Sequence, residues 1–73
     1  MNTIRTCQSD VDCETTFVFD AAGSLGSIET PYTACAWRRV HDANGKLIAH
    51  VRRRWDLGFV VEILIAARQA VRS

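Results

Sequence analysis

No stretch of this 73-residue chain is apolar for long enough to cross a bilayer. The longest apolar run, residues 59–67, is interrupted by Glu62 and falls far short of the about 20 residues that a spanning helix needs. The opening residues, Met1-Asn2-Thr3-Ile4-Arg5-Thr6-Cys7, carry no apolar segment behind their single cation, so no secretory signal is read there. The expectation is a cytoplasmic chain with no membrane contact. Glycine is scarce too. Gly23 and Gly26 lie in and beside a turn, without the lysine and Ser/Thr pattern of a phosphate-cradling loop.

Metal-ligand spacing is also lacking. Five residues separate Cys7 from Cys13, whereas zinc sites use pairs two to four apart and four ligands in all. The two histidines, His41 and His50, fall on a later segment. Asp10, Asp12 and Glu14 alternate along an extended stretch, but a calcium loop needs more ligands and a turn glycine. No metal and no cofactor are therefore expected. Cys7 and Cys13 are read as free thiols in a reducing compartment, with a disulfide or a metal as the alternatives. Cys35 reads as a small core residue, since the nearest base, His50, projects to the other strand face and nucleophilic cysteine chemistry needs a base within reach. The chain is not expected to be an enzyme.

What is present is an ordinary globular composition, 48% hydrophobic and 23% charged, which is unlike a disordered chain. One domain of this length buries only about 60% of its unfolded surface and is marginal without a disulfide, a metal or a partner subunit. The net charge of +1 conceals a split. Residues 1–31 set Arg5 against Asp10, Asp12, Glu14, Asp20 and Glu29, whereas residues 32–73 hold eight cations against Asp42, Asp56 and Glu62. Such a division marks either a basic binding face or mutual neutralisation within the fold.

Two segments share turn chemistry: Asp20-Ala21-Ala22-Gly23 and Asp42-Ala43-Asn44-Gly45. A short polar residue opens each turn and a glycine supplies the positive φ that closes it, as in a three-residue hairpin loop. The spacing predicts a first hairpin over residues 14–30, with Phe17, Phe19 and Leu25 on one face and Gly26 marking a weak point or bulge. Pro31 ends it. A second hairpin is predicted over residues 32–55, with Asp42 opposite Lys46. Its apolar face would hold Cys35, Trp37, Leu47, Ala49, Val51 and Trp55. Its other face would hold Ala34, Ala36, Arg38, Val40, Ile48, His50, Arg52 and Arg54. Arg39 and Arg53 would stay on the apolar side with their heads in water.

Asp56 is a plausible N-cap for a helix over residues 57–72, where Leu57, Val60, Val61, Leu64, Ala67 and Val71 recur at helical spacing and Arg68 and Arg72 suit the C-terminal dipole. The predicted fold is α+β: a small antiparallel sheet of three to four strands, built from two consecutive hairpins, with the C-terminal helix on its apolar face. Residues 1–13 are expected to form an acidic arm.

Three surfaces remain as functional candidates. The basic hairpin face, Arg38, Lys46, His50, Arg52 and Arg54, suits an acidic protein partner or, as a two-stranded ribbon, nucleic acid. Trp55, Phe59, Ile63 and Ile65 are left over once one helix stripe is buried, which points to a homodimer. A dimer could also enclose a small ligand against Trp37, Phe17 and Phe19. The leading expectation is a non-enzymatic protein-interaction module. Analogy of size alone extends this to the small inhibitors, anti-CRISPR proteins among them, with which phages and mobile elements block host machinery. A small nucleic-acid-binding protein is the runner-up.

Overall fold

The computed structural model describes residues 3–33 and 35–72, with side chains through residue 70. Ala34 and the side chains of Val71 and Arg72, each given a place above, lie outside the described residues. Five strands follow one another as a meander: β1 (Ile4–Ser9), β2 (Cys13–Asp20), β3 (Gly23–Pro31), β4 (Arg38–Asp42) and β5 (Leu47–Val51). They form one antiparallel sheet in that order. The helix α1 (Leu57–Arg72) packs over β3 and β4. The class is α+β, but the sheet has one strand more than the upper expectation. The addition is β1, six residues of the supposed arm. It pairs along its whole length with β2, from Ile4 opposite Phe19 to Ser9 opposite Glu14. A tight turn closes this hairpin, where the Asp10 amide donates to the Cys13 carbonyl at 2.8 Å.

The core is small and aliphatic: Val18, Leu25, Ile28, Val40, Val51, Val60, Val61 and Leu64. The helix contributes its predicted stripe. Val60, Val61 and Leu64 are buried, and Leu57 packs beside them. Asp56 caps the helix start, its Oδ1 accepting from the Gly58 amide at 3.2 Å while its carbonyl accepts from Phe59 and Val60.

The predicted strand faces were partly inverted, and two β-bulges account for much of it. In the first hairpin Phe17 meets Ser27 as expected, but the turn is tighter, with Asp20 opposite Gly23. The register shifts between Val18 and Phe19, so Val18 pairs with Gly26, Phe19 pairs with Ser24, and Leu25 is the extra residue. Val18 and Thr16 are the buried residues of β2, at 0% and 2% exposure. Phe17 and Phe19 therefore point to the face away from the helix. The bulge carries Leu25 back to the core side.

The second hairpin repeats the device. Its turn is the expected one: the Gly45 amide donates to the Asp42 carbonyl, the Asp42 amide to the Lys46 carbonyl, and Gly45 takes φ 83°. Asp42 Oδ1 braces the loop by accepting from the Asn44 and Lys46 amides, both at 2.9 Å. His41 then meets Leu47 as predicted, but a register shift makes Val40 meet Ala49, with Ile48 as the extra residue. Val40 is fully buried, whereas Leu47, expected inside, is exposed. Ile48 and Ala49 both pack against the core.

Both strands of this hairpin are shorter than predicted. Cys35 has φ 68°, a left-handed conformation that cannot continue an extended strand. Beyond Val51 the chain turns, with the Trp55 amide donating to the Arg52 carbonyl at 3.1 Å.

Candidate interaction surface

The short strands leave two loop segments, residues 32–33 with 35–37 and residues 52–56, side by side at one end of the sheet. Three side-chain bonds fasten them. Arg38 Nη1 donates to the Trp55 carbonyl at 2.9 Å, and Arg53 Nη1 donates to the Pro31 and Thr33 carbonyls, both at 3.1 Å. Arg38 Nε, buried, has no partner among the described residues.

Upon these loops sit the large exposed side chains. Trp37 is 48% exposed and Trp55 is 41% exposed, so neither belongs to the core assigned to it from the sequence. The Arg52 guanidinium lies 5.0 Å from the Trp37 ring centroid, within cation–π range. Trp55 and Phe59 meet edge to face at 5.1 Å, and Phe59 is exposed at the start of α1. A cavity of about 250 Å³ is lined by Cys35, Ala36, Trp37, Arg52, Arg53 and Arg54. Cys35 is exposed there rather than in the core.

The predicted basic ribbon does not hold together as one face. Arg38 pairs with Val51 and Arg39 pairs with His50, so Arg38 and His50 project to opposite sides of the sheet. On the side away from the helix, Glu29 Oε1 accepts from Arg39 Nε at 3.3 Å and lies 3.5 Å from His41 Nδ1. Lys46 is exposed at the far turn. Arg52 and Arg54 remain together, joined by Arg53 rather than by Arg38 and His50. Of the predicted interface residues, Trp55 and Phe59 are exposed, whereas Ile63 and Ile65 pack against the core. Of the residues expected to line a ligand pocket between two copies, Phe17 and Phe19 lie on the sheet face away from the helix, and Trp37 precedes β4.

One sequence signal could have revealed this surface. Arg52-Arg53-Arg54 is three consecutive cations, and a strand would turn at least one of them into the core. The run therefore marks a strand already ended, with Trp55 carried out beyond it.

The cysteines also resolve. Cys7 faces Thr16 across β1 and β2, its sulfur 3.6 Å from the Thr16 hydroxyl. Cys13 lies three residues along β2 from Thr16, hence on the opposite sheet face, so the two cannot bridge within one chain. Among the described residues no cluster of three or more His, Cys, Asp or Glu side chains could hold a metal ion. No helix among them is long and apolar enough to cross a membrane.

A second cavity, of about 310 Å³, opens between α1 and the second hairpin. Leu25, Ile48, Leu64 and Ala67 line it, with Asp42, Lys46 and Arg68 among its polar residues. Arg68 is engaged, donating to Asp20 Oδ2 at 2.6 Å and to the Ser24 carbonyl at 2.7 Å. No family model matches the chain, and neither a curated protein nor a solved structure matches it.

Proposed function

We propose that the chain is a non-enzymatic binding module that docks an acidic protein surface onto Trp37, Arg52, Arg54, Trp55 and Phe59. The observation that carries this reading is the pair of half-exposed tryptophans at one end of the sheet, one with the Arg52 guanidinium over its ring and the other meeting Phe59 edge to face. Tryptophan and arginine are the side chains that dominate interface hot spots. Burying the exposed half of one tryptophan removes on the order of 100 Å² from water, worth about 2–3 kcal/mol. Arginine contributes both charge and a flat apolar face, so a partner bearing carboxylates around an apolar groove would satisfy both.

A second reading has an observation of its own. Exposed tryptophans beside arginines also make a stacking platform for single-stranded nucleic acid. That replaces the ribbon-in-groove mode, which needed Arg38 and His50 on one face.

The experiment compares the wild-type chain with an Arg52→Ala/Arg54→Ala variant as affinity bait, followed by titration of any selectively captured, purified protein against tryptophan fluorescence. A protein bound by the wild type and lost by the variant, with altered tryptophan emission on direct titration, supports the reading. Emission changed instead by a thymidine oligonucleotide, with a steep salt dependence, transfers the surface to nucleic acid. Identical behaviour of the two baits removes the surface as a binding site.

A further inference from the structure

We infer that the free edge of β1 pairs with β1 of a second copy of this chain, antiparallel about a two-fold axis through Cys7, to give a continuous ten-stranded sheet. The observations behind this lie at the sheet edge opposite β5 and are independent of the tryptophan surface.

The two edges of the sheet are not equivalent. β5 has five residues and is paired through a bulge, which twists an edge away from further pairing. β1 has six residues, Ile-Arg-Thr-Cys-Gln-Ser, all exposed, and pairs with β2 without a register shift. It contains no proline, lysine or glycine and no bulge, and Arg5 is its one charged side chain. The helix lies over β3 and β4 and leaves this edge open.

The hydrogen-bond phase of the edge follows from its turn. Because Asp10 and Cys13 are a bonded pair, antiparallel alternation makes Gln8, Thr6 and Ile4 bond to β2. Arg5, Cys7 and Ser9 therefore direct their amides and carbonyls outward. A second β1 must match outward residues to outward residues. The register centred on Cys7 does so, setting Cys7 against the partner's Cys7 and Arg5 against the partner's Ser9. About six new backbone hydrogen bonds would form.

Charge selects this register. Ser9 stands opposite Glu14 on the same sheet face. Arg5, aligned with the partner's Ser9, thus looks across it to the partner's Glu14, two strand spacings or roughly 10 Å away between backbones, a gap an extended arginine and glutamate span together. The two-fold axis makes this contact twice. Within one chain, the side chains of Arg5 and Glu14 have no ion-pair or hydrogen-bond partner among the described residues. Moving the register by two toward the N-terminus would instead set the two Arg5 side chains diagonally across from each other. The occupant that complements this edge is the edge itself.

The test uses the full chain with Cys13→Ser and Cys35→Ser, leaving Cys7 as its single thiol, and sedimentation over a wide concentration range. The expected result is a mass rising from 8.2 kDa toward twice that value, with mild oxidation trapping a Cys7–Cys7 dimer. Paired Cα atoms in such a register stand about 5.5 Å apart, within disulfide range. Arg5→Glu and Glu14→Arg should each weaken association roughly ten-fold, and together should restore it. Cys7→Pro removes an outward amide without touching the β1–β2 bonds and should yield a folded monomer. If that variant fails to fold, the charge exchange still decides the matter. A monomer at every concentration would overturn the inference, and so would a dimer indifferent to the charge exchange and not trapped through Cys7.

Discussion

Gly26→Ala should remove a large share of this protein's stability. Gly26 is buried at the centre of the sheet, paired with Val18 on one side and Asp42 on the other, at φ 145°. A Cβ placed there would overlap the His41 backbone carbonyl, sit 2.9 Å from Leu64 Cδ2 and 3.2 Å from the Asp42 carbonyl carbon. Two of those neighbours are backbone in a paired strand and cannot rotate away. Backbone strain at positive φ costs about 1–2 kcal/mol. Overpacking adds about 1–3 kcal/mol, and the reduced entropy of the unfolded alanine chain returns about 0.5 kcal/mol. The net loss is about 3 kcal/mol. A chain of this length has about 4–11 kcal/mol of stability in total. In a thermal melt followed by circular dichroism, the loss appears as a fall in Tm of about 12–24 °C. Gly45→Ala is the control. Gly45 also has positive φ, at 83°, but open space surrounds its Cβ direction, so only the backbone term applies, about 1 kcal/mol. A Gly26→Ala melt within a few degrees of wild type, or no worse than Gly45→Ala, would refute the close approach of β3, β4 and α1 at this point.

Two further outcomes follow from the same packing. Arg68 joins the helix to the first hairpin through Asp20, Gly23 and Ser24, with side-chain exposures of 19% for Arg68 and 9% for Asp20. Arg68→Ala should cost about 2 kcal/mol in urea unfolding and speed amide exchange in α1, and lysine should restore only part of it because it lacks the fork that reaches carboxylate and carbonyls together. Ile28→Ala, which empties a fully buried position, should cost about 2–4 kcal/mol, whereas Trp37→Ala should change stability by less than about 1 kcal/mol. Equal losses at the two sites would place Trp37 in the core after all.

The sequence alone determined the local features: the Asp42–Lys46 turn, the pairing of His41 with Leu47, the helix with its Asp56 cap and its Val60–Leu64 stripe, and the α+β class. Each depends on residues within a few positions of one another, where side-chain type and backbone preference act directly. The faces of the strands were decided by tertiary structure. A single extra residue reverses a strand of period two, and the bulges at Leu25 and Ile48 carry no distinctive residue beyond the nearby Gly26. They form where they bring Leu25 to Leu64 and Ile48 to the same core, a gain that exists only once α1 lies on the sheet. The same packing turned Trp37 and Trp55 outward with Arg52, and made an edge strand of residues whose own composition is polar. β1 is held by its ladder to β2 rather than by burial, so alternation of apolar residues had no reason to announce it.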